Sequence, residues 1–187
     1  EPGESFGPVL RDRDGRWRMW YVVYVPRDPA VHRVGCETPQ CLAYSDDGLH
    51  WEKPALHLRD DDPAFLAHPN ILIASHQRDR NGRDLSGYGG WSGLDILDAE
   101  VTPHPAARAR YTGLTTTFPT DTIGGLCVAD SDDGIHWTFR PENPVIIGPA
   151  DTQNTLLWDP QLGKYVCFLR PTIHTGMAMH ANRKMAR

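Results

Sequence analysis

One segment of this chain occurs twice. Cys41-Leu42-Ala43-Tyr44-Ser45-Asp46-Asp47-Gly48-Leu49-His50-Trp51 returns as Cys127-Val128-Ala129-Asp130-Ser131-Asp132-Asp133-Gly134-Ile135-His136-Trp137, and the two agree in residue or residue type almost throughout. A chain that repeats a unit in this way stacks similar supersecondary units, none of which buries its apolar face alone. Within the unit, Ser and Asp side chains hydrogen-bond nearby backbone N–H groups and close a tight turn. Gly48 and Gly134 supply a left-handed backbone there, and Trp51 and Trp137 carry large rings suited to burial between adjacent units. Asp46, Asp47, Asp132, Asp133, His50 and His136 recur at matching places, which reads as turn and packing chemistry rather than catalysis. Cys41 and Cys127 read as small buried apolar residues on equivalent strands.

A hairpin pattern precedes each copy. Pro8 to Asp12 runs through Asp14-Gly15 into Arg16-Trp17-Arg18-Met19-Trp20-Tyr21, and Asp95 to Asp98 runs through Pro103-His104-Pro105 into Arg110-Tyr111-Thr112. A third hairpin, Thr155 to Asp159 and then Lys164 to Arg170, has no second turn motif after it before Arg187. Short apolar strands joined by Asp, Gly and Pro turns are hairpin signatures. The unit is therefore a hairpin, a loop, a strand, the Ser-Asp-Asp-Gly turn and a Trp-bearing strand. Four short strands per unit predict an all-β chain of β-propeller blades, about two and a half of them. The expected divisions of this single partial domain are 1–60, 61–148 with an inserted loop at 75–93, and 149–187. No amphipathic helix is evident. The Gly-, Arg- and Asp-rich loop is of the length that is often functional.

Composition excludes several roles. Nineteen basic residues against 24 acidic ones give a formal charge of −5, and no basic stripe provides a nucleic-acid footprint. No apolar run approaches the ~18 residues of a transmembrane helix, so no membrane partner is expected. The opening Glu1-Pro2-Gly3 has neither Met nor a leader, which suggests a start inside a longer polypeptide. Together with cysteines that form no disulfide framework, it leans toward the cytoplasm. Cys36, Cys41 and His32 lack the second pair that a zinc site needs, so neither a metal nor a cofactor is expected.

The stretch Gly7-Pro8-Val9-Leu10, Asp14-Gly15-Arg16-Trp17-Arg18-Met19-Trp20-Tyr21, and then Ala43-Tyr44-Ser45-Asp46-Asp47-Gly48-Leu49-His50-Trp51-Glu52-Lys53-Pro54 resembles the five-bladed β-propeller glycosidase superfamily. That group includes invertase- and levansucrase-like enzymes, arabinanase-like enzymes and mannoside phosphorylases. The matching residues cover most of the chain at the level of blade pattern and are structural ones. The Ser-Asp turns also look like sialidase Asp-boxes, with His in place of the Thr that precedes Trp there.

The glycosidase resemblance implies a funnel at the propeller axis, with acids on the innermost strands of different blades. Cleavage needs two carboxyl groups, one to protonate the leaving oxygen and one to act as base or nucleophile. Aligning the first strands on Asp12, Asp98 and Asp159 brings Glu4, Trp91 and Asp151 to the strand entrances. Glu4, Asp95 and Asp151 are the resulting catalytic candidates. Trp91, His68, Asn70, Gln153, Asn154 and His174 are candidates for sugar contact. Glu4 stands before Gly7-Pro8 much as the acid of an arabinanase-like Glu-Gly-Pro does, with two extra residues between. Arg27-Asp28-Pro29 follows the outer half of a hairpin and reads as a turn. Three readings follow. The first is hydrolysis or phosphorolysis of a glycosidic bond. The second is a non-catalytic carbohydrate-binding or protein-interaction propeller. The third is a structural fragment whose free edges are covered by further sequence or, if the chain is complete, by self-association.

Overall fold

The computed structural model describes residues 7–26, 36–59, 63, 66–73, 92–117, 125–147 and 153–170. They contain antiparallel strands and no α-helix. In chain order these are β1 (Val9–Arg11), β2 (Trp17–Val22), β3 (Val25–Pro26), β4 (Cys36–Glu37), β5 (Gln40–Ser45), β6 (Ile71–Ile73), β7 (Ser92–Asp98), β8 (Tyr111–Thr117), β9 (Gly125–Ser131), β10 (Thr138–Phe139), β11 (Ile146–Ile147), β12 (Thr155–Asp159) and β13 (Lys164–Phe168). The first sheet has the order β1-β2-β5-β6. The second is β7-β8-β9-β10, with β11 also on β9. β12 and β13 form a hairpin, and β3 pairs β4.

The strands alternate so that each sheet presents two apolar faces, as stacked sheets require. Trp20 and Leu42 of the first sheet meet Leu94, Ile96, Tyr111, Cys127, Ala129 and Trp137 of the second in one buried layer. Leu97, Leu114, Leu126 and Val128, on the other face of the second sheet, pack on Leu156 of the hairpin. This explains the unbroken apolar run from Leu126 to Ala129: the second sheet is covered on both sides. Trp137 is buried in the first layer. Trp51, its repeat equivalent, is half-buried and packs on the outer face of the first sheet with Tyr21, Cys41 and Ala43.

The two Ser-Asp-Asp-Gly turns are built alike. Ser45 Oγ accepts the Gly48 N–H at 2.8 Å, and Asp47 Oδ1 accepts those of Leu49 and His50 at 2.8 and 2.7 Å. The His50 ring lies 2.6 Å from Asp47 Oδ2. Ser131, Asp133 and His136 repeat every one of these bonds. The His50 ring and these N–H groups hold the Asp47 carboxyl well below the usual carboxylate range.

The second turn is also the seat of the first sheet. Trp20 Nε1 donates to the Gly134 carbonyl at 2.8 Å, and Arg18 donates to that of Asp133. Asp12 then bridges the sheets through Arg18 (3.0 Å) and Arg110 (2.6 Å), and Arg110 also holds Asp98 at 3.0 Å.

The structure redraws the sequence in two places. Pro54-Ala55-Leu56, which follows the first turn, forms no strand, and the ladder beside β5 is completed by Ile71–Ile73. A peg explains the choice. Asn70 donates to the Leu42 carbonyl at 2.8 Å, just as Asn143 does to that of Val128 before β11. The second change is one of register. Trp17 and Tyr111 both pair with the turn serines, Ser45 and Ser131. Tyr111 then faces Asp98, whereas Trp17 faces Arg11. Asp98 therefore stands at the rung of Arg11 and not of Asp12. The hairpin Asp159 does match Asp12, since Lys164 faces it as Arg16 faces Asp12.

Both turn glycines have positive φ, 77° at Gly48 and 74° at Gly134. A Cβ at Gly134 would stand 2.7 Å from Trp20 and Arg18, whereas at Gly48 its nearest neighbour would be Trp17 at 3.5 Å. Gly48→Ala is therefore expected to cost about 1 kcal/mol for the left-handed backbone. Gly134→Ala is expected to cost roughly 3 kcal/mol or more, because overpacking is added to the strain. Urea unfolding of the two variants checks this; equal losses would mean that the Trp20 seat contributes nothing.

Candidate functional site

The three first strands, β1, β7 and β12, enter from the same side. Their N-terminal ends line one cleft of about 370 Å³, formed by Gly7-Pro8, Gly93-Leu94-Asp95 and Gln153-Asn154-Thr155. Each segment holds its place for a local reason. Gly7 presses against the first sheet so closely that a Cβ would overlap the Trp20 carbonyl. A bulge between Ser92 and Asp95 resets the β7 register just before the acid, and bulges at strand ends commonly re-aim a side chain. Gln153 has a φ of 64°, an uncommon backbone for a residue other than Gly and one that clusters at functional sites.

Asp95 is the acid of the described lining. Its Oδ2 accepts the Leu156 N–H at 2.6 Å, tying β7 to β12. Burial raises the Asp95 pKa from its ordinary 3.8, and the Leu156 and Ile96 N–H groups offset only part of that rise. Burial also pushes the nearby Cys167 thiol up to about 11, with the Asp95 charge adding to it. Such a carboxyl holds its proton to higher pH than an exposed one, which is what a general acid requires.

Other candidates take different places. Asn154 is buried in the lining, with its amide donating to Thr116 Oγ1 at 2.9 Å and accepting the Arg170 N–H at 2.9 Å. Gln153 is exposed at the lip. Asn70 is fully buried, with its amide committed to Leu42 and to Tyr21 Oη. It and the half-buried His68 precede β6, the strand of the first sheet furthest from β1, and neither lines the cleft. Glu4, Asp151, Trp91 and His174 lie outside the described residues, as do Arg27-Asp28-Pro29, His32 and residues 75–91 of the loop expected at 75–93, whose last two residues, Ser92 and Gly93, instead begin β7. Among the described residues no group of three His, Cys, Asp or Glu side chains is placed to hold a metal ion. Cys41 is a free, buried thiol. Sequence reasoning missed Gly93, Leu94 and Thr155; their proximity to Asp95 and Asn154 in the chain was the available signal.

No protein-family model matches the chain, and no curated protein matches its sequence. Solved structures do match. A GH32 β-fructofuranosidase of Bombyx mori is similar over 92% of this chain and 30% of its own, with a TM-score of 0.56 at 14% identity. An N-acetylgalactosamine deacetylase from F. plautii, solved with blood group B trisaccharide, is similar over 87% of this chain and 39% of its own, with a TM-score of 0.51 at 13% identity. A member of the GH130 family of mannoside phosphorylases is similar over 100% of this chain and 49% of its own, with a TM-score of 0.46 at 15% identity. The chain thus spans less than half the length of each. The likeness is one of fold.

The raised pKa of Asp95 has a cost in stability. The folded state holds this proton more tightly than the unfolded chain does. Stability therefore falls as pH rises from the ordinary carboxylate range through the folded value. Asn cannot ionise, yet its side-chain oxygen still accepts the Leu156 N–H. Asp95→Asn is accordingly expected to raise the thermal midpoint near neutral pH, with a gain that shrinks toward about pH 4. Thermal unfolding across pH checks this, and a gain independent of pH would deny that the carboxyl is buried.

Proposed function

We propose that the chain forms consecutive blades of a five-bladed β-propeller that cleaves a glycosidic bond at the cleft between its inner strands, with Asp95 as the proton-bearing acid. The observation that carries this reading is the convergence of three first strands on one cleft with a half-buried carboxyl, its pKa raised by burial, in its wall. The first blade corresponds to the sheet ending at β6, the second to the sheet of β7 to β11, and the third begins with β12 and β13. A carbohydrate ligand agrees with the similar structures, among them a form of the Bombyx mori enzyme in complex with sucrose.

Cleavage needs a second carboxyl that stays ionised. Glu4 and Asp151 are the proposed sources: in sequence they stand three residues before Gly7 and two before Gln153, both in the lining. Gln153 and Asn154, with Trp91 and His174, are the proposed sugar contacts, the rings by stacking and the amides by hydrogen bonds. Hydrolysis and phosphorolysis differ in whether water or phosphate attacks, and both use the same acid.

A second reading is carbohydrate binding without cleavage. The bond from the Leu156 N–H to Asp95 favours it, because a carboxyl that fastens two strands together has one oxygen fewer for chemistry.

The test is a panel of aryl glycosides, with and without inorganic phosphate, on the purified protein, alongside a glycan-binding assay. Asp95→Asn, Asp151→Asn and Glu4→Gln are each expected to lower kcat by about a hundredfold or more, with unchanged circular dichroism and retained glycan binding. Glycan binding without release of the aryl group would establish the second reading. Full activity in Asp95→Asn would remove Asp95 from the chemistry.

A further inference from the structure

The segments that line the cleft come from matching rungs of their strands. The Arg16 carbonyl accepts the Asp12 N–H, that of Arg110 accepts the Ala99 N–H, and Lys164 pairs with Asp159, so Asp12, Ala99 and Asp159 correspond. Counting back from these, Pro8, Asp95 and Thr155 share one rung, and Gly7, Leu94 and Asn154 share the next. The cross-strand partners agree with the count, since Pro8 meets Trp20, Asp95 meets Leu114 and Thr155 meets Phe168.

At the rung of Asn154 the inner strands differ in chemistry. Gly7 has no side chain, and Leu94 is buried against the first sheet. Asn154 takes the corresponding place against the second sheet, with only 4% of its surface exposed. A carboxamide costs more to bury there than a leucine does, unless its hydrogen bonds offset the lost water. Its Nδ2 donates to Thr116 Oγ1 of β8 at 2.9 Å, and its Oδ1 accepts the Arg170 N–H beyond β13 at 2.9 Å. Thr116 is itself fully buried and pairs with Ser92, across the β7 bulge from Asp95. Two residues after Asn154, the Leu156 N–H donates to Asp95 Oδ2 at 2.6 Å. The start of β12 is thus tied to the second sheet twice, to β8 through Asn154 and to β7 through Asp95.

We propose that Asn154 is a positioning residue of the cleft, whose bond to Thr116 holds the start of β12 where the Leu156 N–H rests on Asp95. The role differs from the sugar contact proposed above, because Asn154 acts here on the acid, through the backbone of β12. It rests on the proposed function only in taking Asp95 as the acid of the cleft. The Leu156 N–H stabilises the ionised carboxyl, so a β12 released at Asn154 withdraws that donor and lets Asp95 keep its proton to higher pH. Among the described residues, the titratable group facing Asp95 from β13 is the Cys167 thiol, which burial pushes up to about 11, far above the carboxylate range. Gly7 and Pro8 across the cleft, and Leu114 and Thr116 on β8, carry none.

The test is a pH titration of the Asp95 carboxyl carbon by NMR on the isotope-labelled chain, its signal assigned as the one lost in Asp95→Asn. Asn154→Leu substitutes the side-chain type found at the matching rung of β7. Thr116→Val removes the acceptor at nearly equal volume, and Thr116→Ser keeps it. Asn154→Leu and Thr116→Val are each expected to move the Asp95 midpoint up by about one pH unit. The double variant is expected to move it no further than either alone, and Thr116→Ser to leave it in place. Circular dichroism checks that each variant folds, and if Asn154→Leu does not, the two Thr116 variants decide. A midpoint that stays or falls in the folded variants would overturn the inference, whatever happens to thermal stability. So would a shift in Thr116→Ser as large as that in Thr116→Val. The titration needs no substrate, so it is separable from cleavage. A shifted midpoint in a chain that releases no aryl group keeps the positioning role and removes the cleavage, and release with an unshifted midpoint does the reverse.

Discussion

The hydrogen bond from Trp20 to the Gly134 carbonyl is where one sheet is fastened to the next. A Trp ring buried without a partner for its N–H would leave a polar group dry, so the ring must end on an acceptor. The second turn offers one because its own Ser and Asp side chains already satisfy the local N–H groups and leave the Gly134 carbonyl facing outward. The glycine is needed twice, for the left-handed turn and for the space the ring occupies. With that seat fixed, Asp12 comes within reach of Arg110, and the first strands of the two sheets start on the same side. The cleft stands at that side, opposite the seat and the Asp12 bridge.

What the sequence revealed was local. The Ser-Asp-Asp-Gly turns could be read because every bond in them spans at most three residues. The hairpins could be read for the same reason. The missed features depend on partners distant in the chain. Asn70 looks like any loop amide until Leu42 appears beside it, 28 residues earlier. Its repeat equivalent Asn143 stands 15 residues after its own partner Val128, and the longer excursion before Asn70 hides the correspondence. The rung offset at Asp98 is equally hidden, because the turn between β7 and β8 is longer than that between β1 and β2. Asp95 was legible as an acid on an inner strand. Its bond to the Leu156 N–H was not, since nothing local announces that β12 lies alongside.

That bond places Asp95 between two tasks. A carboxyl whose pKa burial raises holds its proton to higher pH and so serves better as an acid, but the same burial weakens the fold whenever it ionises. The Leu156 N–H moderates this by stabilising the charged form. The balance decides what the cleft does. If desolvation dominates, the carboxyl is protonated and donates; if the hydrogen bonds dominate, it is a charged fastener between two strands. Burial moves its pKa upward, and the 2.6 Å contact with the Leu156 N–H makes it a fastener between the strands as well.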